Sequence, residues 1–399
     1  MDRVILHCDC NNFYASVERI FHPELEGVPM AVCGSPDSRH GIILAKNELA
    51  KKMGVQTAET LWQALRKCPE LHLVPPHHER YAHYSRLAGE IYGRYTDQVE
   101  PFGIDESWLD VTGSRRLFGS GEEIADRIRE EMKRELGLTV SVGVSFNKVF
   151  AKLGSDYKKP DAVTVISREN YRDIVYPLPV TDLLYVGRVT AGKLRQMGIR
   201  TIGDLAAFEP SALEKLLGKA GAMLSLYARG MDSDPVRRAS EKDEVKSVGN
   251  GMTFQRNLQS MEEVKSGLLF LSETVAARLR KYGLKCCGVQ LAIRDPDFKT
   301  IDRQRRLDAP TNITREIYAA SLEIFARSWR TGDPVRMFTV TGIQLVDQTE
   351  SVQLDLFGSE KKRDKLEALD SSLDGIRAKY GKGAVKPAAI LKNDLGLDE

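Results

Sequence analysis

The 399-residue sequence has no apolar run approaching the ~18 residues that a membrane span needs. Its first residues lack the basic-then-apolar layout of a secretory leader. Its six cysteines, Cys8, Cys10, Cys33, Cys68, Cys286 and Cys287, are too few and too irregular for a disulfide scaffold, and none forms a C-x-x-C pair. Zinc finds no ligand spacing among Cys68, His72, His77 and His78, which are read as ordinary loop residues. These absences predict a cytoplasmic protein. There is no internal repeat. Net charge is also scarce, at +2, but the excess is local: from Arg237 to Arg336, nineteen Lys and Arg stand against thirteen Asp and Glu. Such a segment fits either a surface that meets a polyanion or a merely solvated face.

What is present describes a globular chain, with 42% hydrophobic and 29% charged residues. Its length suggests roughly two to four domains. Up to about Ile166, apolar strands (VILHCD, MAVCG, LHLVPP, SWLDVTG, TVSVGVS, AVTVIS) alternate with amphipathic helices such as EEIADRIREEMKREL, a mixed α/β pattern. From Arg168 to Met231 there is no strand signal, and several short helices are expected. MDSDPVRRASEKDEVKS then reads as a linker. Beyond it, helices near Glu262 to Lys281 and Arg315 to Trp329 alternate with strands CCGVQLAIRD and RMFTVTGIQLV, which predicts a small sheet with helices on one face. The polar last fifty residues include one further helix, KKRDKLEALDSSLDGIRAKYG.

Two stretches carry chemistry. In VEPFGIDESWLDV, Asp105 and Glu106 are adjacent, and neighbours on a regular strand point to opposite faces. Both serve one site only at a strand end, turn or twist, for which Gly103 supplies the break. Crowded carboxylates raise each other's pKa unless a cation neutralises them, and hard oxygen ligands of this kind suit Mg²⁺ or Mn²⁺. Asp9, in HCDCNNFY at the end of another apolar strand, is a third candidate ligand. The alternative for an isolated Asp-Glu pair is a solvent-exposed turn, and for Phe13 and Tyr14 ordinary core packing. Trp108 is read as core.

HCDCNNFYASVE, GIDESWLDV and SVGVSFNKVFAKLGSDYKKP, in that order and spacing, resemble the Y-family DNA polymerases, the translesion enzymes, and most closely their bacterial polymerase IV branch. The resemblance runs from Met1 to about Val346. It implies an α/β (α+β) multidomain, right-hand-like polymerase. The expected parts are a palm at 1–166 with small fingers inserted at about 11–76, and a helical thumb with a helix-hairpin-helix-like motif at 167–232. A linker at 233–246, an α+β little finger at 247–346 and a tail at 347–399 follow. The matching catalytic, metal-binding positions are Asp9, Asp105 and Glu106, with the backbone carbonyl of Cys10 as an added ligand. Two Mg²⁺ ions, replaceable by Mn²⁺, would join a dNTP to the primer 3′-hydroxyl with release of pyrophosphate.

The same resemblance makes Tyr14 a steric gate against the ribose 2′-hydroxyl, with Phe13 packed beside it, and sets Lys159 on the triphosphate in preference to Lys158. Two positions depart from the family. Glu48 and Lys51 stand where many relatives have a triphosphate-binding tyrosine and arginine; lysine keeps the charge of arginine without its planar fork. In VGRVTAGKLRQMG, Tyr185 replaces the first glycine of the DNA-binding hairpin and only Gly187 remains. The basic segment matches a little finger that grips phosphates without reading bases. Gln353, Leu354, Asp355, Leu356 and Phe357 resemble a bacterial sliding-clamp motif, whose alternative is a short amphipathic stretch that docks on the protein itself. The expected partners are primer–template DNA, dNTPs and the clamp, with no membrane, for a monomer. No acidic cluster outside the palm is spaced like a proofreading exonuclease, so low fidelity is expected. A two-metal nuclease and a catalytically idle DNA- and clamp-binding relative are the competing readings.

Overall fold

In the computed structural model, residues 2–34, 41–241, 244–330, 332–349, 360–391 and 394–397 are described. They fall into two units, Met1–Lys242 and Asp243–Glu399. In the first, β1 (Ile5–Cys10) leads into α1 (Phe13–Phe21). A small sheet follows from β2 (Met30–Cys33), β3 (Ile43–Lys46) and β4 (His72–Val74), in the order β3-β2-β4, with α2 (Glu48–Lys52) inserted. After α3 (His78–Gly93), the hairpin β5 (Val99–Pro101) and β6 (Glu106–Asp110) returns the chain to β1. Then come α4 (Gly121–Glu131), β7 (Val140–Ser145), α5 (Lys148–Tyr157) and β8 (Val163–Ile166). The main sheet has the order β5-β6-β1-β7-β8, with β1 antiparallel to both of its neighbours.

That central position explains why all six residues of ILHCDC are buried. Alternation divides them. Leu6, Cys8 and Cys10 join the large apolar cluster with α1, α3 and α4, whereas Ile5 joins Trp108 and Ala151 on the other side. His7 and Asp9 share the parity of Ile5 and so the face that α5 covers. The helix lies unusually close to the sheet because glycines meet there: a Cβ on Gly143 would collide with the Ala151 carbonyl oxygen, and one on Gly154 would lie 2.9 Å from the Gly143 Cα. Ends are set locally, as where Ser120 and Glu123 form a capping box at the start of α4.

The segment expected to be helical contains short helices, including α6 (Arg188–Gln196), around a separate apolar cluster. Residues of the expected linker are held onto the first unit: Val236 is buried beside Ile5 and Trp108, and Arg3 donates to the Asp234 carbonyl at 2.8 Å.

The second unit is a four-stranded antiparallel sheet, ordered β11-β10-β12-β9. Its elements are β9 (Ser247–Leu258), α7 (Met261–Lys281), β10 (Leu284–Arg294), β11 (Thr300–Thr311), α8 (Thr314–Ser328) and β12 (Val335–Asp347). α7 and α8 bury its inner face. β9 and β11 have mostly exposed or half-buried side chains, which is why their sequences carry little strand signal. α9 (Glu360–Tyr380), in the polar tail, docks on this unit through ion pairs in place of an apolar stripe. The mostly buried Arg280 holds Asp374 at 2.6 Å and Asp370 at 3.1 Å. Ile390, Leu395 and Leu397 then enter the core. The QLDLF motif lies outside the described residues. Among the described residues, no helix is long and apolar enough to cross a membrane.

Candidate active site

Register brings the first two acids together. Asp9 on β1 is paired directly with Glu106 on β6, and cross-strand partners share a face. Asp105 sits one residue before the strand, in the turn where Phe102 N–H and Gly103 N–H both reach the Glu106 carbonyl. The break expected at Gly103 is therefore present. The Asp105 carbonyl accepts from Cys10 N–H at 3.0 Å, which ties the turn to the end of β1. Cys10 turns its thiol to the opposite face, 3.9 Å from the Tyr92 hydroxyl, and burial pushes that thiol up to about 12. The backbone is what Cys10 can offer a site on the Asp9 face.

Among the described residues, ligand-type atoms lying within 4.8 Å of one another come from His7, Asp9 and Glu106. Asp105 is outside that trio yet feels it. Burial first, then the charges of Asp9 and Glu106, raise its carboxyl to about 6. Glu106 goes the other way: burial would raise it, but His7 and Lys152 beside Oε2 hold it well below the usual range. His7 is fully buried, which lowers its pKa.

Two ammonium groups compensate the acids. Lys152 Nζ lies 2.9 Å from Asp9 Oδ2 and 2.7 Å from Glu106 Oε2; Lys159 Nζ lies 2.8 Å from the same Asp9 oxygen. Both also pair with Asp156. Lys152 escaped the sequence reading. Its signal was there, since 152, 156 and 159 follow the i, i+4, i+7 spacing of one helical face. The turn carrying Lys159 is held by Asn11, which donates to Ser141 Oγ at 2.9 Å and accepts from Asp161 N–H at 2.8 Å. Lys158 is exposed.

Phe13 is buried, while Tyr14 remains half-buried and lies face to face on Tyr81, with centroids 3.9 Å apart and planes at 13°. Burial and then the Asp105 charge raise the Tyr14 phenol, so ring and acid share one neighbourhood. Tyr81 is itself anchored, because its hydroxyl donates at 2.6 Å to the fully buried Glu18, which also takes Arg80 at 2.9 Å and His77 at 3.0 Å. Nothing in the sequence marks Tyr81, which comes from a helix more than sixty residues away. Glu48 is engaged by Asn12 Nδ2 at 3.0 Å and Lys51 at 3.5 Å. Lys51 is exposed and its ion pair is with Glu48. Trp108 is core, its indole N–H donating to the Lys148 carbonyl at 2.9 Å. Tyr185 takes a left-handed conformation, φ 68°, and Gly187 precedes α6 as its N-cap.

Residues 8–156 match the impB/mucB/samB family, residues 245–356 the C-terminal domain of that family, and residues 181–232 a DNA polymerase-iota thumb domain. The chain is 50% identical to a DNA polymerase IV of Acetivibrio thermocellus, with all of both chains covered. It is 38% identical to one of Clostridium kluyveri, with 98% of this chain and 99% of the relative covered. Among solved structures, it is similar to a Y-family polymerase chimera of Dbh and Dpo4, with a TM-score of 0.76 at 26% identity over 86% of this chain and 99% of the other. It is also similar to an insertion ternary complex of Dbh DNA polymerase, with a TM-score of 0.60 at 25% identity over the same shares.

Proposed function

The chain belongs to the Y-family DNA polymerases, the impB/mucB/samB family, and is a translesion DNA polymerase; we propose that Asp9, Asp105 and Glu106 form its catalytic centre. The observation that carries this reading is the register pairing of Asp9 with Glu106 beside a half-buried Asp105 of raised pKa.

DNA polymerases of this family work with divalent metal ions. The donors here fit such ions, since they are hard oxygens crowded together, and two lysines are drawn onto Asp9 and Glu106. We assign Asp9, Glu106, Asp105 and the Cys10 carbonyl as the residues that would hold two Mg²⁺, or Mn²⁺. When bound, the ions supply a lowered pKa at the primer 3′-hydroxyl and charge neutralisation at the phosphates.

The chain's own groups do the rest. Lys159, 2.8 Å from Asp9, would hold the triphosphate beside the carboxylates. Tyr14, backed by Tyr81, is the sugar gate, and Phe13 fixes the start of α1 beneath it. Lys51, already paired with Glu48, makes at most a peripheral contact. Positioning and electrostatics carry the catalysis, with no covalent protein intermediate.

The boundaries given above for palm, fingers, thumb, linker and little finger belong to this proposal. So do backbone contact near Gly187, clamp binding through Gln353 to Phe357, low fidelity without proofreading, and a cytoplasmic monomer. Incubation with primed template, one dNTP and Mg²⁺ tests the activity. Growth of the primer by one nucleotide supports it, and shortening of the primer would establish a nuclease instead.

A further inference from the structure

His7 plays no part in the assignments above, yet it lies at the heart of the site. Its ring is fully buried on β1, edge-on to Trp108 at 5.2 Å, with Nδ1 2.8 Å from Ser155 Oγ on α5. Among the described residues its buried Nε2 has no hydrogen bond of good geometry, and Glu106 Oε2 lies 3.4 Å from it. A buried ring nitrogen facing a carboxylate is costly unless it carries a proton.

Counting protons resolves the arrangement. Ser155 has one hydroxyl hydrogen and two neighbours, His7 Nδ1 and the Lys152 carbonyl, each at 2.8 Å. If the hydrogen goes to Lys152, a neutral ring must carry its own proton on Nδ1 and press a lone pair against Glu106. If it goes to Nδ1, the ring proton sits on Nε2 and points at the carboxylate. The Lys152 carbonyl loses little in the second case, because it lies inside α5, where the amide four residues on serves it. A charged ring would also present Nε2–H to Glu106, so the conclusion does not depend on protonation state.

We propose that His7, oriented by Ser155, is the positioning residue for Glu106: the hydroxyl sets the tautomer, and Nε2–H holds Oε2 in one rotamer when a cation draws the carboxylate away from Lys152. Lys152 grips that same oxygen at 2.7 Å, and among the described residues no hydrogen bond reaches Oε1. His7 is thus the fixed partner and Lys152 the exchangeable one. Residues behind a metal ligand commonly change its affinity for the ion by about 10–100-fold.

The inference rests on Glu106 being a cation ligand, and the test separates the two. Mn²⁺ is titrated, with the free ion read by electron paramagnetic resonance, into the full chain bound to a dideoxy-terminated primer–template and the matching dNTP. The Mg²⁺ dependence of primer extension is measured in parallel. The expected result is that H7L weakens Mn²⁺ about 10-fold and shifts the Mg²⁺ requirement by a similar factor. H7Q, which keeps an N–H at that reach, should recover most of the loss, and S155A should fall between, all with unchanged primer–template affinity. Equal Mn²⁺ affinity in H7L and wild type, or equal weakening in H7L and H7Q, overturns the role of His7. Should H7L not fold, S155A decides by the same criterion. No Mn²⁺ binding by the wild-type complex would instead overturn the ligand assignment itself.

Discussion

Tyr14 shows how a single side chain is given a task by what lies under it. A gate works only if it does not yield, and the stacked Tyr81, anchored on buried Glu18, gives the ring a rigid back wall. Tyr14→Ala should therefore raise incorporation of ribonucleotides relative to deoxyribonucleotides by about 100-fold, equivalent to ~3 kcal/mol of lost repulsion. Competitive incorporation assays check this, and an unchanged ratio removes the gate. At Tyr185 the task is different. Its φ of 68° suits the glycine usual at this place in related hairpins, and a larger residue is strained there. Tyr185 also faces the Tyr227 ring, with centroids 6.3 Å apart. Tyr185→Gly should stabilise the protein by about 1 kcal/mol in denaturant titration; a loss of that size would mean that this ring contact outweighs the strain. At this scale the acids and the Phe13–Tyr14 pair were legible through the family resemblance, which the order and spacing of three motifs carry, and their roles stand as proposals. His7, Lys152 and Tyr81 were not, since their roles arise from β1, α5 and α3 meeting in space. Lys152 alone left a trace, in its helical spacing with Asp156 and Lys159.

Between elements, the decisive contact is α5 on β7. Gly143 stands opposite His7 in the sheet, and its missing side chain lets α5 come close enough for Ser155 and Lys152 to reach β1. A Cβ at 143 would collide with the Ala151 carbonyl oxygen and lie 2.5 Å from the Ser155 amide nitrogen. Gly143→Ala should cost about 3 kcal/mol of stability through this overpacking, measured by denaturant unfolding. It should also lower the extension rate of the folded fraction, because the lysines move with the helix. In the second unit, Arg280 is the clasp for α9, and its removal leaves Asp370 and Asp374 poorly compensated. Arg280→Ala should cost about 3 kcal/mol and open the tail helix to limited proteolysis, whereas unchanged protection would show that Ile390, Leu395 and Leu397 suffice. The α/β alternation of the first unit and the helices of the second were readable as apolar periodicity. β9 and β11 were obscured because much of their surface is left polar, and the docking of α9 because ion pairs leave no hydrophobic stripe.

For the whole molecule, the charge excess between Arg237 and Arg336 fits the proposed role of a surface that holds DNA by its phosphates, as a polymerase that tolerates damaged templates requires. Primer–template affinity should fall on the order of 100-fold or more between 50 and 200 mM salt; a flat response in fluorescence anisotropy would contradict phosphate binding. Deleting 353–357 should leave synthesis on short primers intact and remove any stimulation by a bacterial sliding clamp, and equal stimulation after the deletion would withdraw that motif. Asp9, Asp105 and Glu106 are proposed to sustain nucleotide addition together. This is tested most directly by single-turnover primer extension with Mg²⁺, comparing the wild-type chain with Asp105→Asn and with the Asp105→Ala, Glu106→Ala double variant at equal DNA occupancy. The wild type should add one nucleotide and each variant should lose roughly 10³-fold or more in rate; extension by the double variant at the wild-type rate would show that these acids are not the catalytic centre.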